Sequence, residues 1–454
     1  VEEQKKSLKG DLTVGNPSKL LIHFAIPMLI GNFFQQLYTL VDSIVVGKFV
    51  SDNALAAVGS VWSVNFLIIS LTMGLAAGIG IIISQFFGAK DYENVKKSFA
   101  TATFLLFIIS AIMGTLGAIF SYQLLELLNT PATIIDDANI YLKILCIGII
   151  GNAGYNGMAA VMRALGDSKT PLIFLSIACI VNIILVLLFV AVFHWGVAGA
   201  GIATIIAQAV AAIGSITYGL KTIPLLRMPL SEFRIDKQIM KKCIKLGLPA
   251  ALQNSFIAIS TMAIQLVINR QGEIVVAAAT AAQRIEQVVL MPGMSLGLSV
   301  ASYTGQNIGA GRIDRVKQGF WSATKIIVIF SCIMMPLIYF FGGSVMRLFT
   351  DDPEIARIGT KAVHVTCMFY IPVGMIYVSR NLLSGAGDVK VPMIMGGSEV
   401  LTRVIFSNVL TAIPVIGYMG IWWATGLNWF ITGLIGCLFY ASGRWKNKSI
   451  VSRG

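Results

Sequence analysis

The sequence is short of charge. Asp, Glu, Lys and Arg make up 12% of its 454 residues, about half of the roughly 25% that a soluble domain carries. That shortage excludes an ordinary water-facing surface, and a mean hydropathy of +0.81 points the same way. Histidine is almost missing: His23, His194 and His364 are few and dispersed, which excludes a His-based metal cluster. The six cysteines (Cys146, Cys179, Cys243, Cys332, Cys367 and Cys437) form no CxxC pair. They read as small buried apolar residues rather than metal ligands. No Ser-His-Asp or Cys-His arrangement is visible. The Gly-rich turns at Gly166, Gly309 and Gly387 lack the GKS or GKT ending of a phosphate-binding loop. The chain is therefore not read as an enzyme, and no cofactor is implied.

What is abundant is apolar sequence, in stretches of about 20 to 28 residues, each able to cross a hydrocarbon core of roughly 30 Å as a helix. Gly, Ala and Ser are interspersed, so helix backbones can approach closely in lipid. Runs such as 177–193 show no apolar–polar alternation, which excludes a β-barrel. The fold class is thus an all-α integral membrane protein of twelve transmembrane helices. The expected spans are 19–41, 54–84, 95–122, 134–160, 170–193 and 197–220 in the first half. In the second half they are 240–268, 275–304, 316–343, 355–382, 391–414 and 418–442. A net charge of +13 does not call for a nucleic acid, because Lys and Arg gather in cytoplasmic loops. With both termini inside, the outer loops hold about six basic residues (Lys48, Lys143, Arg270, Arg347, Arg357 and Lys361) and the inner ones about 25. The polar start, with Lys5, Lys6 and Lys9, adjoins no signal-peptide core. A multi-pass membrane location with both termini cytoplasmic follows as the expectation.

The halves repeat at an offset of about 221 residues. Gln85, Gly88, Ala89, Val95, Lys96 and Phe99 return as Gln306, Gly309, Ala310, Val316, Lys317 and Phe320. Gly166, Asp167, Lys169 and Pro171 return as Gly387, Asp388, Lys390 and Pro392; Gly196 and Gly199 return as Gly417 and Gly420. Pro27 returns as Pro249 with a one-residue slip. Six helices per half give both halves one orientation, related by a pseudo-twofold axis along the membrane normal. The expected organisation is a cytoplasmic segment 1–18, an N-lobe 19–220, a basic linker 221–239, a C-lobe 240–442 and a cytoplasmic tail 443–454. Duplicated halves rocking about a central site are a common transporter plan.

Carboxylates inside the spans are few: Asp42, Glu286 and Glu399. A charge there costs at least about 2.5–3.5 kcal/mol, so each calls for a partner or a function. Asp42 has no Lys or Arg at i±3 or i±4. Glu399 and Arg403 stand at i and i+4, with the acid on the N-terminal side, the favoured order for a helical ion pair. Arg284 and Glu286 are only two apart and face different ways, so each needs a partner elsewhere. These four are candidate cavity or gate charges. Arg284, Lys325 and Arg403 are the basic residues assigned to span interiors.

At the repeated loops the sequence resembles the multidrug and toxic compound extrusion (MATE) family. The likeness is carried by 54–91 (ALAAVGSVWSVNFLIISLTMGLAAGIGIIISQFFGAKD), 163–171 (RALGDSKTP) and 292–315 (PGMSLGLSVASYTGQNIGAGRIDR). The resemblance implies two six-helix lobes around a central cavity and export of organic cations in exchange for H+ or Na+. It implies that Asp42 binds the coupling ion and that Pro27 permits a bend. It further implies that Asn182, Thr204 and the carbonyl of Ala200 join Asp42, with Tyr141 and Asn156 as polar neighbours. No metal is implied beyond Na+ at that site. Two departures stand out. Many members carry an Asp four residues after the Asn, where this chain has Val186; that weighs toward a proton. The second half has no acid at 246–268 or 362–379, so it lacks the second-lobe carboxylates of some members.

The expected function is a secondary active antiporter, monomeric, exporting amphipathic cationic small molecules by alternating access. The alternatives are a flippase of lipid-linked sugars, which needs basic residues within the spans, and a channel or non-transporting membrane scaffold.

Overall fold

The computed structural model describes residues 10–128 and 130–451. Lys5, Lys6, Lys9 and the last three residues of the expected tail lie outside the described residues. Those described form helices and connecting turns, with no β-strand among them.

The first half contains α1 (Pro17–Phe49), α2 (Asp52–Gly88), α3 (Tyr92–Ile119), α4 (Ser121–Leu127), α5 (Ile135–Ala164), α6 (Lys169–Val186) and α7 (Gly196–Thr222). The second contains α8 (Lys237–Asn269), α9 (Glu273–Gly309), α10 (Ile313–Met346), α11 (Pro353–Cys367), α12 (Tyr370–Gly385), α13 (Lys390–Ala412) and α14 (Gly420–Ala441). Side chains start several of them. Ser51 accepts from the Ala54 amide, Asp91 from Asn94, and Asp352 from Glu354 and Ile355, each answering an amide that the first helical turn leaves unpaired.

Among the described residues ten helices are long and apolar enough to cross a membrane, or eleven if α11 and α12 form one span bent by 53°. The expected continuous span 355–382 is therefore corrected to a broken pair. The break falls at Met368 and Phe369, where the Phe369 amide turns back to the Thr366 carbonyl in a tighter turn. α13, with 23 residues, is long enough, but Ser398, Glu399, Thr402 and Arg403 make it too polar to qualify on hydropathy. The expected span 95–122 also breaks, at Phe120, giving α3 and the short α4. α6 ends in a π turn, Leu187–Val192. Bulky apolar side chains stay exposed along the helices, among them Phe340 at 75%, Ile147 at 68% and Ile213 at 67%. In water so much apolar surface would drive association; against lipid it is the ordinary exterior.

The helices form two compact units. The first holds Ile26–Leu252 with the residues up to Leu12; the second holds Thr13–Ala25 with the residues from Gln253 onward. In the first unit α5 packs against α7, α2 and α3. There α2 also meets the start of α8 at glycine positions. A Cβ on Gly74 would lie 2.3 Å from the Ala251 nitrogen, and one on Gly78 would lie 2.7 Å from the Gly247 nitrogen. In the second unit α9 packs against α12, α10 and α11, and α14 against α13 and α12. Its Thr13–Ala25 segment is held by Arg312, which donates to the Thr13 carbonyl at 2.7 Å, and by Arg315, which donates to that of Gly15 at 2.9 Å.

The sequence repeat reappears in the backbone. Left-handed residues occur at Lys90 and Gly311, at Gly166 and Gly387, and at Gly196 and Gly417. Each pair sits at matching places in the two halves, so the repeated turns share a conformation as well as residues.

Candidate ion-coupling site

Asp42 lies on α1, which runs as one helix through the buried Pro27. Its side chain is 9% exposed. Three helices of the first unit bring groups to it. α6 supplies Asn182 and α7 supplies Thr204, both within hydrogen-bonding reach of the carboxyl, and Tyr141 of α5 faces Thr204. Asn182 is 2% exposed and its amide nitrogen lies 3.4 Å from Thr204 Oγ1. Thr204 donates in turn to the Ala200 carbonyl at 3.0 Å, one turn back on α7.

This small network leaves two buried oxygens without a partner, Asp42 Oδ1 and Asn182 Oδ1. Orphaned buried acceptors are rare in folded proteins and call for an explanation. The salt bridges among the described residues include none to Asp42. A carboxylate, an amide oxygen, a hydroxyl and a backbone carbonyl make a hard-oxygen donor set, suited to a small hard cation. The same carboxyl can instead take a proton. Either ligand removes the cost of an unpaired charge away from water.

Sequence reasoning left out one neighbour, Tyr38. It stands one turn before Asp42 on the same helix face and interacts with it electrostatically; the i, i+4 spacing was the signal. Asn156 behaves differently from the rest of the set. Its amide donates to Asn152, to the carbonyl at 2.9 Å and to Oδ1 at 3.0 Å. It also stands about 22 Å along α5 from Tyr141, by helix rise. Val186, where an acid would add a second charge, is fully buried in an apolar cluster with Val45, Val46, Tyr141, Val190 and Ala200.

The second unit has its own charges. Glu399 does not pair with Arg403, which corrects the i, i+4 expectation. It accepts from Arg380 of α12, and both side chains are buried. Helical spacing makes a pair possible, but the packing of α12 against α13 brings the Arg380 guanidinium to the carboxylate instead. Arg380 was also missed as a basic residue inside a span, since it lay near the expected end of 355–382. Arg403 is left facing Glu399 and Glu286 without an ion pair, and its Nε has no partner. Glu286 has a buried, unpartnered Oε1, while Arg284, two residues before it, is exposed.

The profile of the family described as MatE matches this chain twice, at 27–188 and 249–409. The chain belongs to the MATE family. The double match also begins at Pro27 and at Pro249, the residues that open the sequence repeat. Among curated relatives, the "Probable multidrug resistance protein YpnP" of Bacillus subtilis is 33% identical over 96% of this chain and 97% of its own length. The "FAD transporter" of Shewanella oneidensis is 27% identical over 81% of this chain and 82% of its own. Of solved structures, a MOP superfamily transporter from Pyrococcus furiosus superposes with a TM-score of 0.90 over 98% of this chain and 99% of its own, at 24% identity. That likeness establishes an all-α membrane fold of MATE architecture. A MATE protein is a multi-pass membrane transporter and not an enzyme, and its family works by secondary active antiport.

Proposed function

We propose that this MATE protein exports amphipathic organic cations in exchange for H+ or Na+, with Asp42 as the coupling group. The observation that carries the reading is two buried oxygens without a partner, Asp42 Oδ1 and Asn182 Oδ1, on side chains within hydrogen-bonding reach of each other and with no ion pair to Asp42 among the described residues. Loading that site with a cation from outside favours the state that releases substrate, because a ligand shifts an equilibrium only by its differential affinity for the two states. The finer architecture belongs to the same proposal. Twelve spans form an N-lobe 19–220 and a C-lobe 240–442 about a pseudo-twofold axis and a central cavity, as a monomer, joined by the 221–239 linker. Segments 1–18 and 443–454 are cytoplasmic and the membrane is the bacterial plasma membrane. α13 counts as a span in this scheme because Glu399 is neutralised by Arg380. Pro27 serves as the hinge of α1.

A flippase for lipid-linked sugars would need unengaged basic residues inside the spans. Arg380 adds one to that set, but it is paired with Glu399, and Arg284 and Lys325 are exposed, which leaves Arg403, with its Nε buried and unpartnered, as the one remaining member of the set. The deciding experiment is efflux of ethidium from proteoliposomes under imposed Na+ or pH gradients. Export that follows neither gradient refutes the antiport reading.

A further inference from the structure

The start of α8 carries a row of charge that the ion site does not use. Its first turns bury Ile239, Cys243 and Leu246, at helical spacing, within the first unit. The opposite face carries Lys237, Lys241 and Lys245, all exposed. They stand four residues apart, so they form one stripe about 12 Å long by helix rise. On the same face stand Ile244, Leu248 and Leu252, exposed at 41%, 46% and 42%. Exposed apolar side chains on a span meet lipid tails, and the lysines that continue the same face reach the headgroup layer.

Among the described residues no salt bridge reaches these three lysines. The nearest acid in sequence, Asp236, is engaged as the cap of α8: its Oδ1 accepts from the Gln238 and Ile239 amides at 2.8 and 2.9 Å. The other acid of the linker, Glu232, lies in a separate earlier turn. The Asp236 amide donates to Thr101 Oγ1 at 3.0 Å, and Phe233 packs on Phe99 and Phe104. Those contacts fix the helix start on α3, so the row is held in place. Lys242 turns instead to the Phe86 ring, 5.2 Å from its centre. The repeat shows that the shared fold does not demand such a row. With the slip that matches Pro27 to Pro249, its positions correspond to Gly15, Lys19 and His23. Exposed apolar residues follow there too, Ile22, Ile26 and Ile30, yet that half has one lysine where α8 has three.

We propose that Lys237, Lys241 and Lys245 bind anionic phospholipids of the leaflet on the linker's side. The chemistry recognised is a phosphodiester with net negative charge. Each ammonium donates hydrogen bonds to phosphate oxygens, while Ile244, Leu248 and Leu252 lie along the acyl chains. A headgroup that carries its own cation offsets its phosphate and gains less from the row. Bound lipid tethers the start of α8, the helix that contains Pro249, to the membrane surface. Neither Asp42 nor the identity of the coupling ion enters this proposal.

The test is native mass spectrometry of the purified full chain, released from micelles holding equal amounts of phosphatidylglycerol and phosphatidylcholine. Wild type should retain phosphatidylglycerol in excess. Lys237→Gln, Lys241→Gln and Lys245→Gln together should bring the bound ratio down to that of the micelle. Lys237→Arg, Lys241→Arg and Lys245→Arg together should preserve the excess. Lys48→Gln, Lys143→Gln and Lys361→Gln remove as much charge elsewhere and should leave the excess intact. An unchanged excess without the α8 lysines, or an equal loss in both glutamine triples, overturns the proposal. Displacement of phosphatidylglycerol from wild type by millimolar inorganic phosphate would assign the row to free phosphate, and overturns it too. Should the α8 glutamine triple fail to fold, Lys241→Gln alone decides: a reduced excess supports the proposal and an unchanged one refutes it.

Discussion

Arg380 and Glu399, on neighbouring helices and 19 residues apart, form a buried ion pair that excludes the closer Arg403. With side-chain exposures of 8% and 11%, neither charge is well solvated. Removing one partner of such a pair costs about 3–5 kcal/mol, because the other is stranded. Arg380→Met and Glu399→Leu should each lower the melting temperature of the solubilised protein markedly. The double variant should recover most of the loss. Additive losses in the double variant would contradict the pairing.

Gly74 gives a second prediction, about packing. Its missing Cβ is what lets α2 meet α8, since the nearest atoms are the backbone of Ala251 at 2.3 and 2.4 Å, which cannot swing aside. Gly74→Ala should destabilise the protein. Gly80→Ala, whose Cβ would find its nearest neighbour at 3.5 Å, should be neutral or gain up to about 1 kcal/mol from helix propensity. Thermal melts of the two variants side by side check this, and equal behaviour would count against the close approach.

Val186 offers a third test, because it occupies the place where the resemblance to the family leads one to expect an acid. Val186→Asp would put a second carboxyl into the apolar cluster around Val45 and Val190. An uncompensated acid there lowers stability, and a cation shared with Asp42 restores it. The melting temperature of Val186→Asp should therefore rise more in sodium chloride than in choline chloride, by a larger margin than wild type. Equal responses would separate Val186 from the ion site.

Much of this was legible in the sequence, for identifiable reasons. Helices in lipid satisfy their own backbone, so hydropathy alone located the helical stretches. The repeat was legible partly because Gly166 and Gly387, or Gly196 and Gly417, adopt the same left-handed turn, which favours glycine in both halves. The acids Asp42 and Glu286 were legible because charge is rare in such a chain. What spacing could not supply was choice of partner across helices. Glu399 had a ready candidate on its own helix, and only the packing of α12 against α13 brings Arg380 to it. The break between α11 and α12 was equally hidden, since the hydropathy of the stretch is continuous while its backbone is not. Asn156 was assigned by resemblance alone, and its bond to Asn152 is local.

The central claim is that Asp42 couples ion entry to export, and ethidium efflux from proteoliposomes holding Asp42→Asn tests it most directly. The account predicts a variant that folds, melts like wild type and binds ethidium, yet shows no acceleration of efflux under either an inward proton or an inward sodium gradient. Gradient-driven efflux at the wild-type rate from Asp42→Asn would contradict it.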